Sequence, residues 1–157
     1  MLEIELINKK NLQLKNLVLD YNGTIAFKGK IISGIKAKLA DLSKFMDIYI
    51  ITADTYGTVR EEFAGQPVNI EITDDKITGT NYKKDFIKDL GPNNTIAVGN
   101  GVNDKLMLAK AGLSIAVIGG EGAAVNTVLK ADIIINDILE GLDLLKNKNA
   151  LKATLRK

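Results

Sequence analysis

Residues able to do chemistry in this 157-residue chain collect at four places. The first is Leu17-Val18-Leu19-Asp20-Tyr21-Asn22-Gly23-Thr24, where three apolar residues run into an acid and then into turn-formers. A short apolar run stopped by Asn22 and Gly23 reads as a buried parallel strand, which puts Asp20 at the strand's carboxyl end. Open α/β sheets hold ligands at that edge, and a glycine just beyond lets the backbone come close to one. The other places are Thr52 after Ile48-Tyr49-Ile50-Ile51, a lysine at 83 or 84, and the turn Gly99-Asn100-Gly101-Val102-Asn103-Asp104 after Thr95-Ile96-Ala97-Val98. Each is ordinary by itself: Asp-Tyr-Asn-Gly suits a plain turn, and a threonine after a strand can cap the next helix. An EF-hand loop opening at Asp20 is excluded, because position twelve is Ile31 where a bidentate Glu is needed.

Composition narrows the chemistry. With no cysteine and no histidine, thiolate nucleophiles, His-dependent triads and the usual zinc sites are ruled out. A general acid or base is then a carboxylate, lysine, tyrosine or water. The 21 basic and 19 acidic residues are spread along the chain to a net charge of +2, so there is no electrostatic footprint for nucleic acid or an anionic membrane. No apolar run approaches the ~20 residues of a membrane span. The expected location is the cytoplasm.

The elements that must position these residues alternate. Leu2 to Leu6 has the period-two pattern of a strand with one wet face, expected at a sheet edge. Residues 24–32 read as a hairpin turning at Lys28-Gly29-Lys30, placed to cover Asp20 like a flap. Ser33 is the expected cap of a helix through Ile35, Leu39, Leu42 and Met46. After the strand at 48–51 come a short helix at 59–63, a strand at 68–72, a polar loop at 73–80 and a helix at 83–90 ended by Gly91-Pro92. Further strands are expected at 95–98, 113–118 and 132–135, with helices starting near Asp104, after Gly122 and at 139–145, then a basic tail packed through Leu151 and Leu155. Strands alternating with helices predict an α/β fold, a three-layer Rossmann-like, mainly parallel sheet with helices on both faces. No linker or repeat interrupts residues 1–157, which are expected to form one domain. Helical spacing favours Lys83 over Lys84: Lys83 precedes Phe86, Ile87 and Leu90 by three, four and seven residues, while Lys84 aligns with Lys88 and Gly91.

The order and spacing of the four pieces resemble the haloacid dehalogenase-like superfamily of phosphotransferases, whose first motif is D-x-D-G-T, followed by a strand-end Ser/Thr, a helix Lys and an acidic G-D-x-x-x-D turn. Within it the chain looks most like the soluble P-type ATPase-like branch. G-N-G-V-N-D parallels the pumps' G-D-G-V-N-D, and A-K-A-G-L-S-I-A-V, E-G-A-A-V and L-K-A-T-L-R continue the match from about residue 14 onward. The resemblance implies a hydrolase or phosphatase with catalytic residues Asp20, Asn22, Thr52 and Lys83. It implies phosphate binding by Asp20, Gly23, Thr52, Ala53 and Lys83, and a Mg²⁺ held by Asp20, the main-chain carbonyl of Asn22, Asn100 and Asp104, the last directly or through water. Asp20 would form an aspartyl phosphate, with Mg²⁺ offsetting the repulsion between carboxylate and phosphate.

Two departures stand out. The family's second aspartate, which protonates the leaving group, is Asn22 here, and the acid that normally holds Mg²⁺ is Asn100. Asparagine cannot exchange a proton, so ~10²–10⁴-fold of general acid–base catalysis is absent. The expected substrates therefore carry good leaving groups, and the alternative is a catalytically weak module that binds a phosphorylated ligand or partner in a regulatory role. Residues 21–51 and 53–82 are used up by a helix, a strand and short turns, which leaves no room for a cap domain. An open site of this kind suits a small or macromolecular phosphate, or closure by a second copy in a homo-oligomer.

Overall fold

A computed structural model describes residues 1–4, 11–54, 57–73 and 79–156. In chain order the strands and helices are β1 (Leu2–Ile4), β2 (Leu12–Leu14), β3 (Asn16–Asp20), β4 (Ala26–Phe27), β5 (Lys30–Ile31), α1 (Ile35–Leu42), β6 (Asp47–Thr52), α2 (Val59–Glu62), β7 (Asn69–Ile72), α3 (Gly79–Leu90), β8 (Thr95–Gly99), α4 (Lys105–Lys110), β9 (Leu113–Val117), α5 (Val125–Val128), β10 (Ile133–Ile135), α6 (Ile138–Leu144) and α7 (Lys148–Leu155). A 3₁₀ turn at Val102–Asp104 leads into α4.

Six strands form one sheet in the order β10-β9-β8-β3-β6-β7, every pair parallel. Five consecutive buried residues in each of β3, β8 and β9 explain the central position of these strands, since a strand covered on both faces has no wet side to alternate. From β3 the chain winds outward through β6 and β7, then returns to the other flank of β3 and winds outward through β8, β9 and β10. The direction reverses between β3 and β8, and at such a switch point the loops diverge and leave a crevice at the carboxyl edge. Asp20 and Asn100 both leave their strands there.

Alternate residues of β3 feed two cores. Leu17 and Leu19 join residues of α1, α2, α6 and α7 on one face, while Val18 meets Ile87 of α3 and Met107 and Leu108 of α4 on the other. The sheet is thus a layer between two helical layers, as the alternation predicts. Among the described residues no helix is long and apolar enough to cross a membrane.

Four expectations need correction. Leu2–Ile4 is no edge of the main sheet: it pairs antiparallel with Leu12–Leu14 in a separate two-stranded ribbon. The ribbon packs under α7, and its alternation reflects one face turned to that helix, with Leu2, Ile4 and Leu14 buried. Residues 5 and 6 of the expected strand lie outside the described residues. Ser33 does not cap α1; Gly34, in a left-handed conformation with φ 92°, precedes the helix without a side-chain cap. Met46 lies beyond that helix yet stays buried. The helix carrying Lys83 starts at Gly79, four residues before the expected boundary, so it takes in the end of the expected loop, whose residues 74–78 lie outside the described residues.

The basic tail is a formed helix. Asn147 accepts a hydrogen bond from the Ala150 amide at 3.0 Å, and Leu151 is fully buried. Leu151→Ala should cost about 2–4 kcal/mol of stability through lost burial and a residual cavity. Leu129→Ala, at a side chain 76% exposed, should stay within about 0.5 kcal/mol. Urea unfolding of both variants checks the contrast.

Candidate active site

Register fixes the geometry of the crevice. Asp20 pairs with Ile51 across β3 and β6, so Thr52 stands one residue further along the neighbouring strand. On the other flank Leu19 pairs with Val98, and Asn100 begins the turn that follows β8. Lys83 reaches the same place from α3, one helical turn before Ile87, which is anchored in the core.

At the centre lies a lysine between two acids. Lys83 Nζ donates to Asp20 Oδ1 at 2.6 Å and to Asp104 Oδ1 at 2.7 Å. Lys83 is 2% exposed, Asp20 6% and Asp104 0%. The spacing preference for Lys83 is met: Lys84 is partly exposed and donates to Asn81. The other Asp104 oxygen accepts the backbone amides of Asn100 at 3.0 Å and Gly101 at 2.9 Å, so both of its oxygens are engaged. Asp104 therefore holds the lysine and folds the turn at once.

Thr24 joins the two loops at the switch point. Its hydroxyl lies 3.4 Å from Asp20 Oδ2 and 3.2 Å from Asn100 Oδ1. Asn100 Nδ2 donates to the Gly122 carbonyl at 3.0 Å, and the Asn100 carbonyl accepts from the Ala124 amide at 2.8 Å. Such proximity needs small residues. A Cβ on Gly23, where φ is +78°, would fall 2.3 Å from Asn100 Nδ2, and one on Gly99 would fall 2.5 Å from Asp104 Cγ.

On the β6 side Thr52 is buried, and its hydroxyl oxygen accepts the Asp54 amide at 3.0 Å, which leaves the hydroxyl hydrogen free to donate. Ala53 is half-buried beside it. Asn22 differs from the other predicted residues: it is exposed, forms only a bridge with Ala26, and its side chain has no hydrogen bond among the described residues. The structure thus gathers Asp20, Gly23, Lys83, Asn100 and Asp104 into one contact network, sets Thr52 on the adjoining strand, and leaves Asn22 at the mouth.

The hairpin of β4 and β5 forms as expected. It is latched sideways: the Lys28 amide donates to Glu121 at 2.8 Å, and the Phe27 ring occupies the place where a Gly120 side chain would stand. Beneath it a cavity of about 130 Å³ is lined by Thr24, Phe27, Val117, Gly120 and Asn136 among others. Residue spacing alone singles out neither Thr24 nor the 119–124 loop. Only the final threonine of the D-x-N-G-T pattern hinted at Thr24.

Two carboxylates against one ammonium leave surplus negative charge among buried side chains. Burial, reinforced by the Asp104 carboxylate and opposed by Lys83, pushes the Asp20 carboxyl up to about 7. The donor set suits a divalent cation: Asp20 and Asn100 offer hard oxygens to a common point beside Thr24, and the surplus charge is what such an ion would offset. Among the described residues no three His, Cys, Asp or Glu side chains cluster, so a cation here would rely on the amide oxygen of Asn100 in addition to carboxylate.

A folded pKa above the unfolded one means that Asp20 favours folding when protonated, and that this contribution is lost as pH rises from about 4 through about 7. With divalent cations chelated, Asp20→Asn should exceed the parent protein in stability by roughly 2–4 kcal/mol above pH 7, and the gap should close toward pH 4. Denaturant titrations across that range provide the check. Lys83→Met should lose about 3–5 kcal/mol at neutral pH, because it strands two buried carboxylates.

A family model described as haloacid dehalogenase-like hydrolase matches residues 39–137, a span that contains Thr52, Lys83, Asn100 and Asp104 and begins after Asp20. Uncharacterised protein MJ0073 of Methanocaldococcus jannaschii is 54% identical over 71 residues, covering 45% of this chain and 76% of that protein. The cobalt-bound deoxy-D-mannose-octulosonate 8-phosphate phosphatase YrbI of Haemophilus influenzae is similar in structure, with a TM-score of 0.72 and 14% identity over 90% of this chain and 92% of that one. The 3-deoxy-D-manno-octulosonate 8-phosphate phosphatase of Moraxella catarrhalis, solved with magnesium, phosphate and KDO, gives a TM-score of 0.66 and 18% identity over 90% of each chain. At such identities the solved structures show a shared fold. The match of a family model to well over half of the sequence shows more: this chain belongs to the haloacid dehalogenase-like hydrolases.

Proposed function

We propose that the protein is a Mg²⁺-dependent phosphohydrolase that works through an aspartyl phosphate on Asp20 and prefers substrates with good leaving groups. The observation that carries the reading is the Lys83 ammonium held between Asp20 and Asp104 at the carboxyl edge of the sheet, 2.6 and 2.7 Å from their oxygens. The solved Moraxella phosphatase, with magnesium and phosphate bound on the same fold, supports it. The parallel between Gly99 to Asp104 and the pumps' turn supports the soluble P-type ATPase-like branch.

In this reading an Asp20 carboxylate oxygen attacks phosphorus, and the bond to the leaving oxygen breaks with its electron pair. Lys83 balances charge on the transferred group, while the free hydrogen of the Thr52 hydroxyl and the Ala53 amide take up its peripheral oxygens; the Gly23 amide donates to the Ala26 carbonyl at 2.9 Å, so Gly23 serves by leaving space for the turn. Mg²⁺ would be held by Asp20, the Asn22 carbonyl and Asn100, and when bound it supplies charge neutralisation. With both oxygens engaged, Asp104 contributes by fixing Lys83 and the turn, and its carboxylate would add negative charge beside a bound cation.

The leaving group must depart without a proton from position 22. Acyl and aryl phosphates and nucleotide anhydrides satisfy that demand, and alkyl phosphates do not. The same gap slows attack of water on the intermediate. A small or macromolecular phosphate could reach the open crevice, and a second copy of the chain could close it. The exposed Asn22 also favours a second reading, a regulatory module that binds a phosphorylated ligand without turnover. Unaltered phosphate binding in Asp20→Asn, with no hydrolysis by the parent protein, would select it.

Rapid mixing with p-nitrophenyl phosphate and Mg²⁺ should show a burst approaching one p-nitrophenolate per chain before a slow steady state, abolished in Asp20→Asn. Asn22→Asp should erase the burst and raise alkyl phosphate hydrolysis by ~10²-fold or more. No release at all, or no gain from Asn22→Asp, counts against the mechanism.

A further inference from the structure

The residue after the nucleophile has a large polar side chain that the mechanism above does not use. Tyr21 is 3% exposed. Strand alternation sends its side chain away from Asp20 and toward the face that carries α2. There its hydroxyl donates to Glu62 Oε2 at 2.6 Å, and its ring meets Phe63 edge-on, with centroids 6.4 Å apart and planes at 77°. Lys36 lies over the other partner, its Nζ 5.9 Å from the Phe63 centroid.

The contact joins two loops of the site. On one side, the Tyr21 carbonyl accepts the amides of Thr24, Ile25 and Ala26 at 3.2, 3.0 and 3.0 Å, so the Tyr21 backbone is the hub of the turn that presents Gly23 and Thr24. On the other side, Glu62 belongs to α2, whose start is organised by Asp54. The Asp54 carboxylate accepts the amides of Thr58 at 3.1 Å and Val59 at 3.3 Å, while the Asp54 amide donates to the Thr52 hydroxyl. Asp54 takes a left-handed conformation, φ 43°, to make both contacts. A continuous path therefore runs from Asp20 through Tyr21, Glu62, α2 and Asp54 to Thr52.

We propose that Tyr21 and Glu62 form a brace that sets the position of the Thr52 loop relative to the Asp20 loop, making both residues positioning residues for phosphoryl transfer. The inference rests on the phosphohydrolase reading. Pairing between β3 and β6 ends at Asp20 and Ile51, and Thr52 is held from its far side only, by pairing with Ile72 of β7. Beyond that point the two loops diverge, and the hydroxyl-carboxylate bond ties them outside the sheet. Neither side chain touches the phosphoryl group, so the brace acts on alignment. Misalignment of a bound group by an ångström costs up to about 10²-fold in rate.

The test is a double-mutant cycle on Mg²⁺-supported p-nitrophenyl phosphate hydrolysis, with melting temperature measured for every variant. Tyr21→Phe and Glu62→Ala should each lower the rate constant of the p-nitrophenolate burst at saturating substrate by about tenfold, with little change in the substrate concentration that half-saturates it. The double variant should be no slower than either one, because both remove the same bond. Glu62→Gln, whose amide oxygen can still accept from Tyr21, should recover most of the rate. Melting temperatures close to the parent's would separate alignment from unfolding. A parent-like burst rate in Tyr21→Phe and Glu62→Ala, or additive losses that follow the melting temperature, overturn the brace and leave the phosphohydrolase reading intact. A parent protein that releases no p-nitrophenolate overturns the phosphohydrolase reading and the brace with it.

Discussion

The most demanding feature of this fold is a buried lysine shared by two buried carboxylates. Removing three charges from water is costly, and the pairing recovers that cost only when the remaining polar atoms are satisfied. Here they are: Asp104 spends one oxygen on Lys83 and the other on two backbone amides, and Asp20 shares Lys83 and faces the Thr24 hydroxyl. No buried side-chain nitrogen or oxygen is without a partner among the described residues. Satisfaction of hydrogen bonds does not neutralise the charge, however, and the surplus falls on Asp20, whose carboxyl is pushed up to about 7. The acid best placed to react is thus the one least content in its ionised form. Such a group gains from a neighbouring cation or from transfer of its charge to an incoming centre, which ties the electrostatics of the crevice to the chemistry proposed for it.

That arrangement is possible because the sheet delivers the parts from different directions. Asp20 and Asn100 leave adjacent parallel strands at the point where the winding reverses, and Lys83 arrives from a helix on one face. Close approach then depends on missing side chains. Gly99 leaves space for the Asp104 carboxylate, and Gly23 leaves space for the Asn100 amide. The glycines and the charged residues are one design: the small residues let the turns fold over the site that the large ones fill.

Much of this was legible because it obeys short-range rules. The buried strands announce themselves as apolar runs stopped by turn-formers. Lys83 is distinguishable from Lys84 since only it shares a stripe with Phe86, Ile87 and Leu90, and in the fold it lies inside while Lys84 faces Asn81. What stayed hidden is set by partners distant in sequence. The alternation of Leu2 to Ile4 shows one buried face without saying whether the cover is the main sheet or α7. Thr24 meets Asn100 across 76 residues, and Tyr21 meets Glu62 across 41. No local spacing encodes those pairs. The start of α1 is hidden for a related reason: Ser33 is a good cap by type, yet the backbone turns at Gly34 and takes the chain past it.

The two asparagines that depart from the family pattern differ in kind. Asn100 is matched to its surroundings at both ends of the amide, with Oδ1 toward Thr24 and Nδ2 donating to the Gly122 carbonyl. An aspartate at 100 would turn a carboxylate oxygen toward that carbonyl and lose the donor that ties the 119–124 loop to the site, besides adding a third acid around one lysine. The amide at this position therefore has a structural role, and it lowers the charge the crevice must hold. Asn22 has no such local reason. It is exposed, and its side chain binds nothing among the described residues, so an aspartate there would disturb little of the fold. Under the proposed phosphohydrolase reading, the absence of an acid at 22 therefore belongs to the reaction, whereas the amide at 100 belongs to the scaffold.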